Sequence, residues 1–233
     1  MQQSRHETLF SKDMKLGDLI DANYKLLTIL SRLGIRLGFG EITVEEMCRR
    51  YELSPQLFLV ICRIYTFDNY FPSCEELGED DLRHIVAYLQ ASHRYYKEYS
   101  LPRLRKGVSE TVESCDELHR KVLDKFFTDY CSEVASHFAY EEETVFPYIQ
   151  ALLNGVRSGE FSIGRFEDNH SDVDEKLNDM KSIIIKYLPE ACPTEQRNDM
   201  LFEIFRFEED LSRHTLIENR LLIPLVEKIE HAL

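Results

Sequence analysis

The sequence predicts an all-α protein, with a C-terminal antiparallel four-helix bundle preceded by a small helical N-terminal domain. Three observations lead there. Only nine glycines and seven prolines punctuate 233 residues, too few for a fold of many short strands. Apolar residues recur at helical rather than alternating spacing. Four long helical stretches then follow one another with short breaks, the pattern of an antiparallel bundle.

The N-terminal domain is read over residues 1–75. LGDLIDANYKLLTILSRLGI carries apolar residues at helical spacing and ends at Gly34. A glycine corner follows at Gly38 and Gly40. Thr43 with Glu46 three residues on forms a capping box that opens TVEEMCRRYE. Ser54-Pro55 opens SPQLFLVICRIY, with proline in the first turn. The polar stretch FPSCEELGEDD (71–81) reads as a linker. The bundle is read over 76–233. Its helices run from about Asp80 through His93 and past a kink at Pro102, from Asp116 to Leu153, from Gly164 to Leu188, and from Glu195 to His231. The breaks are NGVRSGEFS and LPEACPT.

Charge and composition exclude several functions. With 28 basic and 42 acidic residues the net charge is −14, which argues against non-specific nucleic-acid binding and against docking on an anionic membrane. No apolar run of about 18 residues is present, so no membrane span is expected. The start, MQQSRHETLF, has no apolar signal-peptide core, and a cytoplasmic location is expected. Cys48, Cys62, Cys74, Cys115, Cys131 and Cys192 include no CxxC pair, so buried thiols are expected, not disulfides or a zinc site. There is no GxSxG, no glycine-rich phosphate loop and no legible Cys/His dyad, so no residue is assigned to nucleophilic catalysis.

The chemistry lies in an internal repeat. HFAYEEETVFPYI (137–149) and HTLIENRLLIPLV (214–226) each start with His, place Glu four residues later, a bulky apolar residue nine later and Pro ten later. Residues i and i+4 share a helix face, about 6 Å apart. His137 with Glu141 and His214 with Glu218 can therefore each offer an imidazole nitrogen and a carboxylate oxygen to one ion. Imidazole and carboxylate suit iron or manganese, whereas thiolates suit zinc, and a carboxylate can bridge two ions. The other two bundle helices each add a histidine, His93 and His170. Asp174, four residues after His170, is a candidate acceptor for its ring. His119 lies about 27 Å from His137 along one helix and His84 about 13 Å from His93, so neither belongs to the set; His6 and His231 are terminal. Of Glu141, Glu142 and Glu143 at most one can face the ions, and Glu218, followed by Asn219, selects the first.

At these residues the sequence resembles the hemerythrin-like HHE family of cation-binding domains, and more closely the di-iron proteins for repair of iron centres. HFAYEEETVFP matches the family's His-x-x-x-Glu-Glu followed by Phe-Pro, HTLIENRLLIP its closing His-x-x-x-Glu, SHRYYKEYSLPRL its first-helix motif and NHSDVDEKL its third. The resemblance implies a hemerythrin-like bundle holding two non-haem iron ions, Fe2+ or Fe3+, able to carry an oxo bridge. His93, His137, His170 and His214 would be terminal ligands, Glu141 and Glu218 bridges. It further implies a role in oxidative or nitrosative stress, with iron–sulfur proteins and the gases O2 and NO as partners. The repair proteins carry a thiol motif near a glycine turn in the N-terminal domain; here GIRLGFGEITVEEM has no cysteine before Cys48. Arg94 also follows His93 where relatives often have a second histidine.

Three functions fit this reading: iron–sulfur cluster repair through iron donation or NO/O2 handling, reversible O2 or NO binding or sensing, and metal-coupled transcriptional regulation. The third rests on a helix–turn–helix cadence in TVEEMCRRYELSPQLFLVICR (43–63), and the acidic balance weighs against it. Tyr95, Tyr96, Tyr140 and Tyr148 are candidates to tune or gate access, or plain core and rim aromatics.

Overall fold

The computed structural model describes residues 10–113, 115–156, 161–164, 166 and 174–232. Among these the fold is all-α, and the sole extended pairing is an antiparallel bridge between Lys15 and Thr43. The N-terminal helices are α1 (Leu16–Ala22), α2 (Leu26–Arg32), α3 (Val44–Arg50) and α4 (Pro55–Thr66). Then come α5 (Glu79–Tyr95), α6 (Leu101–Val112), α7 (Glu117–Tyr140), α8 (Phe146–Leu153), α9 (Asp174–Lys186), α10 (Thr194–Ile217) and α11 (Ile223–Ala232). Three single π turns, Tyr96–Ser100, Glu141–Val145 and Glu218–Leu222, join α5 to α6, α7 to α8 and α10 to α11 without a break.

The helix starts follow local chemistry. The Thr43–Glu46 capping box is formed in both directions, at 3.2 and 2.9 Å. Ser54 accepts from the Leu57 N–H, and Pro55 occupies the first turn of α4. Asp116 caps α7 by accepting from the His119 N–H at 3.0 Å. That bond and the contact with the His119 ring hold the Asp116 carboxyl below the usual range.

The contacts gather the chain into two compact units. One comprises Met1–Ser92, Tyr148–Glu167 and Arg213–Leu233. Its core helix is α4, in which Leu57 through Tyr65 are buried without interruption. A helix apolar on all sides sits inside a core. The helix–turn–helix reading needs α4 to present an exposed face to a DNA groove, and this burial leaves none. Around α4, Arg63 Nη2 donates to the Phe10 carbonyl and Asn23 Nδ2 to Tyr65 O and Thr66 Oγ1. The buried Arg32 donates to the Tyr65 hydroxyl at 2.7 Å, which also accepts from Tyr88 at 3.0 Å. In the same unit Glu230 accepts from the Tyr148 hydroxyl and from the Ile163 N–H. Cys48 on α3 is fully buried and its thiol is pushed up to about 12 by desolvation; Cys62 on α4 is driven well upward by the same cause. Thiolates, the reactive form, are therefore scarce at both positions near neutral pH.

The other unit comprises His93–Pro147 and Asp168–Ser212. Here α6 packs along α7, and α9 packs on α7. Leu104, Phe127, Tyr130, Phe138, Met180 and Ile204 fill its core. Across from α6, the approach of α10 places Met200 Sδ 2.7 Å from where a side chain at Gly107 would begin. The same approach corrects the expectation of six free thiols. It brings the end of α6 beside the start of α10, and Cys115 and Cys192 form a disulfide with Cα atoms 5.9 Å apart.

Cross-linking residues 77 apart in sequence stabilises the fold by about 4 kcal/mol in the chain-entropy account. The double variant Cys115→Ser/Cys192→Ser is expected to lower Tm by roughly 10 °C. An unchanged Tm, with no disulfide in the intact mass of the parent protein, would remove the staple from the account.

Candidate metal centre

Two of the π turns begin at the repeat's glutamates, Glu141 and Glu218. Their defining bonds run from the Phe146 N–H to Glu141 O and from the Ile223 N–H to Glu218 O, five residues apart. The third runs from the Leu101 N–H to Tyr96 O. Each turn is followed by a proline six residues from its start: Pro102, Pro147 and Pro224. Proline has no N–H to return to the carbonyl four residues back and its ring crowds that carbonyl. A turn widened by one residue relieves both demands and leaves the helix continuous, a device that recurs at functional sites. This is the outcome at Pro102, where the sequence suggested a kink.

His137 and Glu141 lie on one face of α7 and its continuation. His137 Nε2 is 3.1 Å from Glu141 Oε1. The other oxygen, Oε2, is 2.9 Å from Nε2 of His93 at the end of α5. The second repeat copies the first, with His214 Nε2 2.8 Å from Glu218 Oε1. His93, Glu141, His214 and Glu218 are all fully buried, and each offers one ligand atom within 4.8 Å of the others.

This donor set fits a metal. Nitrogen and oxygen ligands sit about 2.1 Å from a divalent ion, so two of them at a right angle are about 3 Å apart. The spacings of 2.8 to 3.1 Å between imidazole nitrogens and carboxylate oxygens are those of hydrogen bonds as well, so the fit rests on the gathering of four buried donors. Buried carboxylates in native proteins are paired or coordinate metals, and imidazole with carboxylate is the ligand set of iron and manganese.

The remaining candidates fall as follows. His137 meets Glu141 but stands outside the group of four. His170 lies outside the described residues. Asp174 opens α9, but its side chain lies outside them too. Glu142 is partly exposed and meets His93, while Glu143 faces outward. His119 bonds Asp116 at 2.7 Å, and His231 bonds the Glu227 carbonyl. His84 is half-buried and His6 lies outside the described residues. Tyr96 is buried between Phe138 and Phe207 and donates to the Asp210 carbonyl, whereas Tyr95 and Tyr140 are rim residues. Sequence reasoning missed the π turns and the Glu142 contact. The recurring proline was the available signal for the first.

Comparison with known proteins agrees with this geometry. The profile of the hemerythrin HHE cation binding domain matches residues 84–226, more than half of the chain. The chain belongs to the hemerythrin HHE family. Its all-α architecture is that of a hemerythrin-like bundle, and His93, Glu141, His214 and Glu218 are a group able to hold a metal ion. It is similar to the iron-sulfur cluster repair protein YtfE of Citrobacter koseri, 32% identical over 106 residues, 45% of this chain and 46% of that protein. It is also similar to the protein of that name from Salmonella paratyphi B, 30% identical over 149 residues, 62% of this chain and 64% of that protein. Each match thus covers less than two thirds of the relative's length. No helix among the described residues is long and apolar enough to cross a membrane.

Metal should stabilise this hemerythrin-like fold by mass action. Anaerobic Fe(II) at about 100 times its Kd is expected to add about 2.7 kcal/mol, raising Tm by roughly 5–10 °C. Glu218→Ala should abolish the rise and His119→Ala should leave it intact. An equal rise in Glu218→Ala would disconnect the buried group from the metal.

Proposed function

We propose that this chain is a non-haem di-iron protein of the oxidative and nitrosative stress response that serves iron–sulfur cluster repair, through iron donation or NO/O2 handling. The observation that carries the reading is the buried group of His93, Glu141, His214 and Glu218, in a chain similar to proteins named for that repair. His137 and His170 would complete the ligand set, with Glu141 and Glu218 as the bridging carboxylates. Two iron ions held there would supply redox chemistry and open coordination positions for a diatomic gas. The protein's own part is to hold the donors and keep them dry. Glu141 orients two imidazoles, one per oxygen, and Phe138 and Phe146 cover the His93 ring.

In this proposal residues 76–233 are the metal-binding bundle, in keeping with a family match that begins at residue 84. Residues 1–75 are a small helical domain, in which Cys48 and Cys62 are buried and proton-retaining. The location is cytoplasmic, and the partners are damaged iron–sulfur proteins and the gases O2 and NO. The second reading is reversible O2 or NO binding or sensing at the same site, favoured by the complete burial of the four donors.

The test begins with elemental analysis of protein purified without added metal. About two irons per chain are expected, with Glu141→Ala and Glu218→Ala lowering the content while helicity persists. The iron-loaded protein should then restore activity to an NO-damaged iron–sulfur dehydratase. Rapid reversible O2 binding with no effect on damaged clusters would replace repair by gas binding. One zinc, or no metal, would overturn the di-iron reading.

A further inference from the structure

His93 is fixed on three sides. Its ring lies nearly flat against Phe138, with centroids 4.1 Å apart and planes at 15°, and stacks beside Phe146 at 5.7 Å. Its Nε2 faces Glu141. Its Nδ1 meets Oε1 of Glu142 at 3.0 Å. Glu142 stands between interior and water: its side chain is 35% exposed, and the same oxygen accepts from Lys97 Nζ at 3.2 Å.

A neutral imidazole carries one N–H, and which nitrogen bears it is set by the bond the other makes. A carboxylate only accepts. Carboxylates face both ring nitrogens, Glu141 at Nε2 and Glu142 at Nδ1; an ion held at Nε2 would leave the ring proton on Nδ1, where Glu142 accepts its hydrogen bond. The Lys97–Glu142 pair is exposed and contributes little by itself. The bond to His93 differs, because losing it strips a fully buried N–H of its acceptor.

We propose that Glu142 is a positioning residue of the metal centre, which favours the proton on Nδ1 and fixes the ring orientation of His93 so that Nε2 is ready to bind the ion. The inference rests on the reading of His93 as a ligand. It gives the three consecutive glutamates separate tasks: Glu141 faces the ions, Glu142 orients a histidine, and Glu143 is solvated. Lys97 anchors Glu142 from the solvent side. Loss of such an outer partner of a metal-binding histidine typically costs 10–100-fold in affinity.

The test uses the full chain. Metal-stripped protein is loaded anaerobically with Fe(II), and release to a ferrous chelator is followed by absorbance. Glu142→Ala and Glu142→Leu are expected to release Fe(II) about 10–100 times faster than the parent. Glu142→Gln, whose amide oxygen can accept the same bond, should recover most of the loss, and Glu143→Ala should match the parent. A second readout needs no metal. In 15N spectra of labelled histidine, Glu142→Ala should shift the His93 ring proton from Nδ1 toward Nε2 relative to the parent. Unchanged release and an unchanged tautomer in a folded Glu142→Ala or Glu142→Leu protein would overturn the proposal. A parent that binds no Fe(II) would instead remove the metal reading on which it stands.

Discussion

Everything in this molecule is arranged around the burial of Glu141 and Glu218. Taking a carboxylate out of water costs several kcal/mol even after relaxation. A fold that buries two of them completely must supply polar partners at close range. Histidines at i−4 do so within each helix, and His93 adds one from α5. The widened turns let the helices run on beyond the glutamates despite Pro147 and Pro224. Phe138 and Phe146 pack on the His93 ring and hold it beside Glu141.

Much of this was legible in the sequence because helices are periodic. The His-x-x-x-Glu pairs place both donors on one face wherever the helix forms, so their convergence follows from spacing alone. His93 was legible for a weaker reason, one histidine per helix, and it stands nine rather than ten residues before its proline. The capping box at Thr43 and the proline start of α4 are contacts between near neighbours in sequence and followed directly. The π turns did not, because proline inside a helix is ordinarily a cause of kinking and the spacing does not say whether a helix bends or widens. The role of Glu142 was hidden in a run of three glutamates, since its partner is 49 residues away. The Cys115–Cys192 disulfide was hidden for the same reason. Its cysteines have no motif, and they lie 77 residues apart in sequence.

The N-terminal region shows how a cadence in sequence can mislead about function. Two short helices joined near Leu53-Ser54 have the rhythm of a DNA-binding motif. The second, α4, is instead a core helix, and its buried arginine, Arg63, bonds a backbone carbonyl. Cys48 and Cys62 are equally inward, whereas Cys74 is half-buried. Burial keeps Cys48 and Cys62 protonated near neutral pH.

The most direct test of the central claim is anomalous diffraction at the iron absorption edge, from crystals of protein loaded with Fe(II). The account predicts two iron peaks per chain, both bordered by Glu141 and Glu218. Iron bound elsewhere, or an absence of anomalous signal at these glutamates in an otherwise ordered crystal, would contradict it.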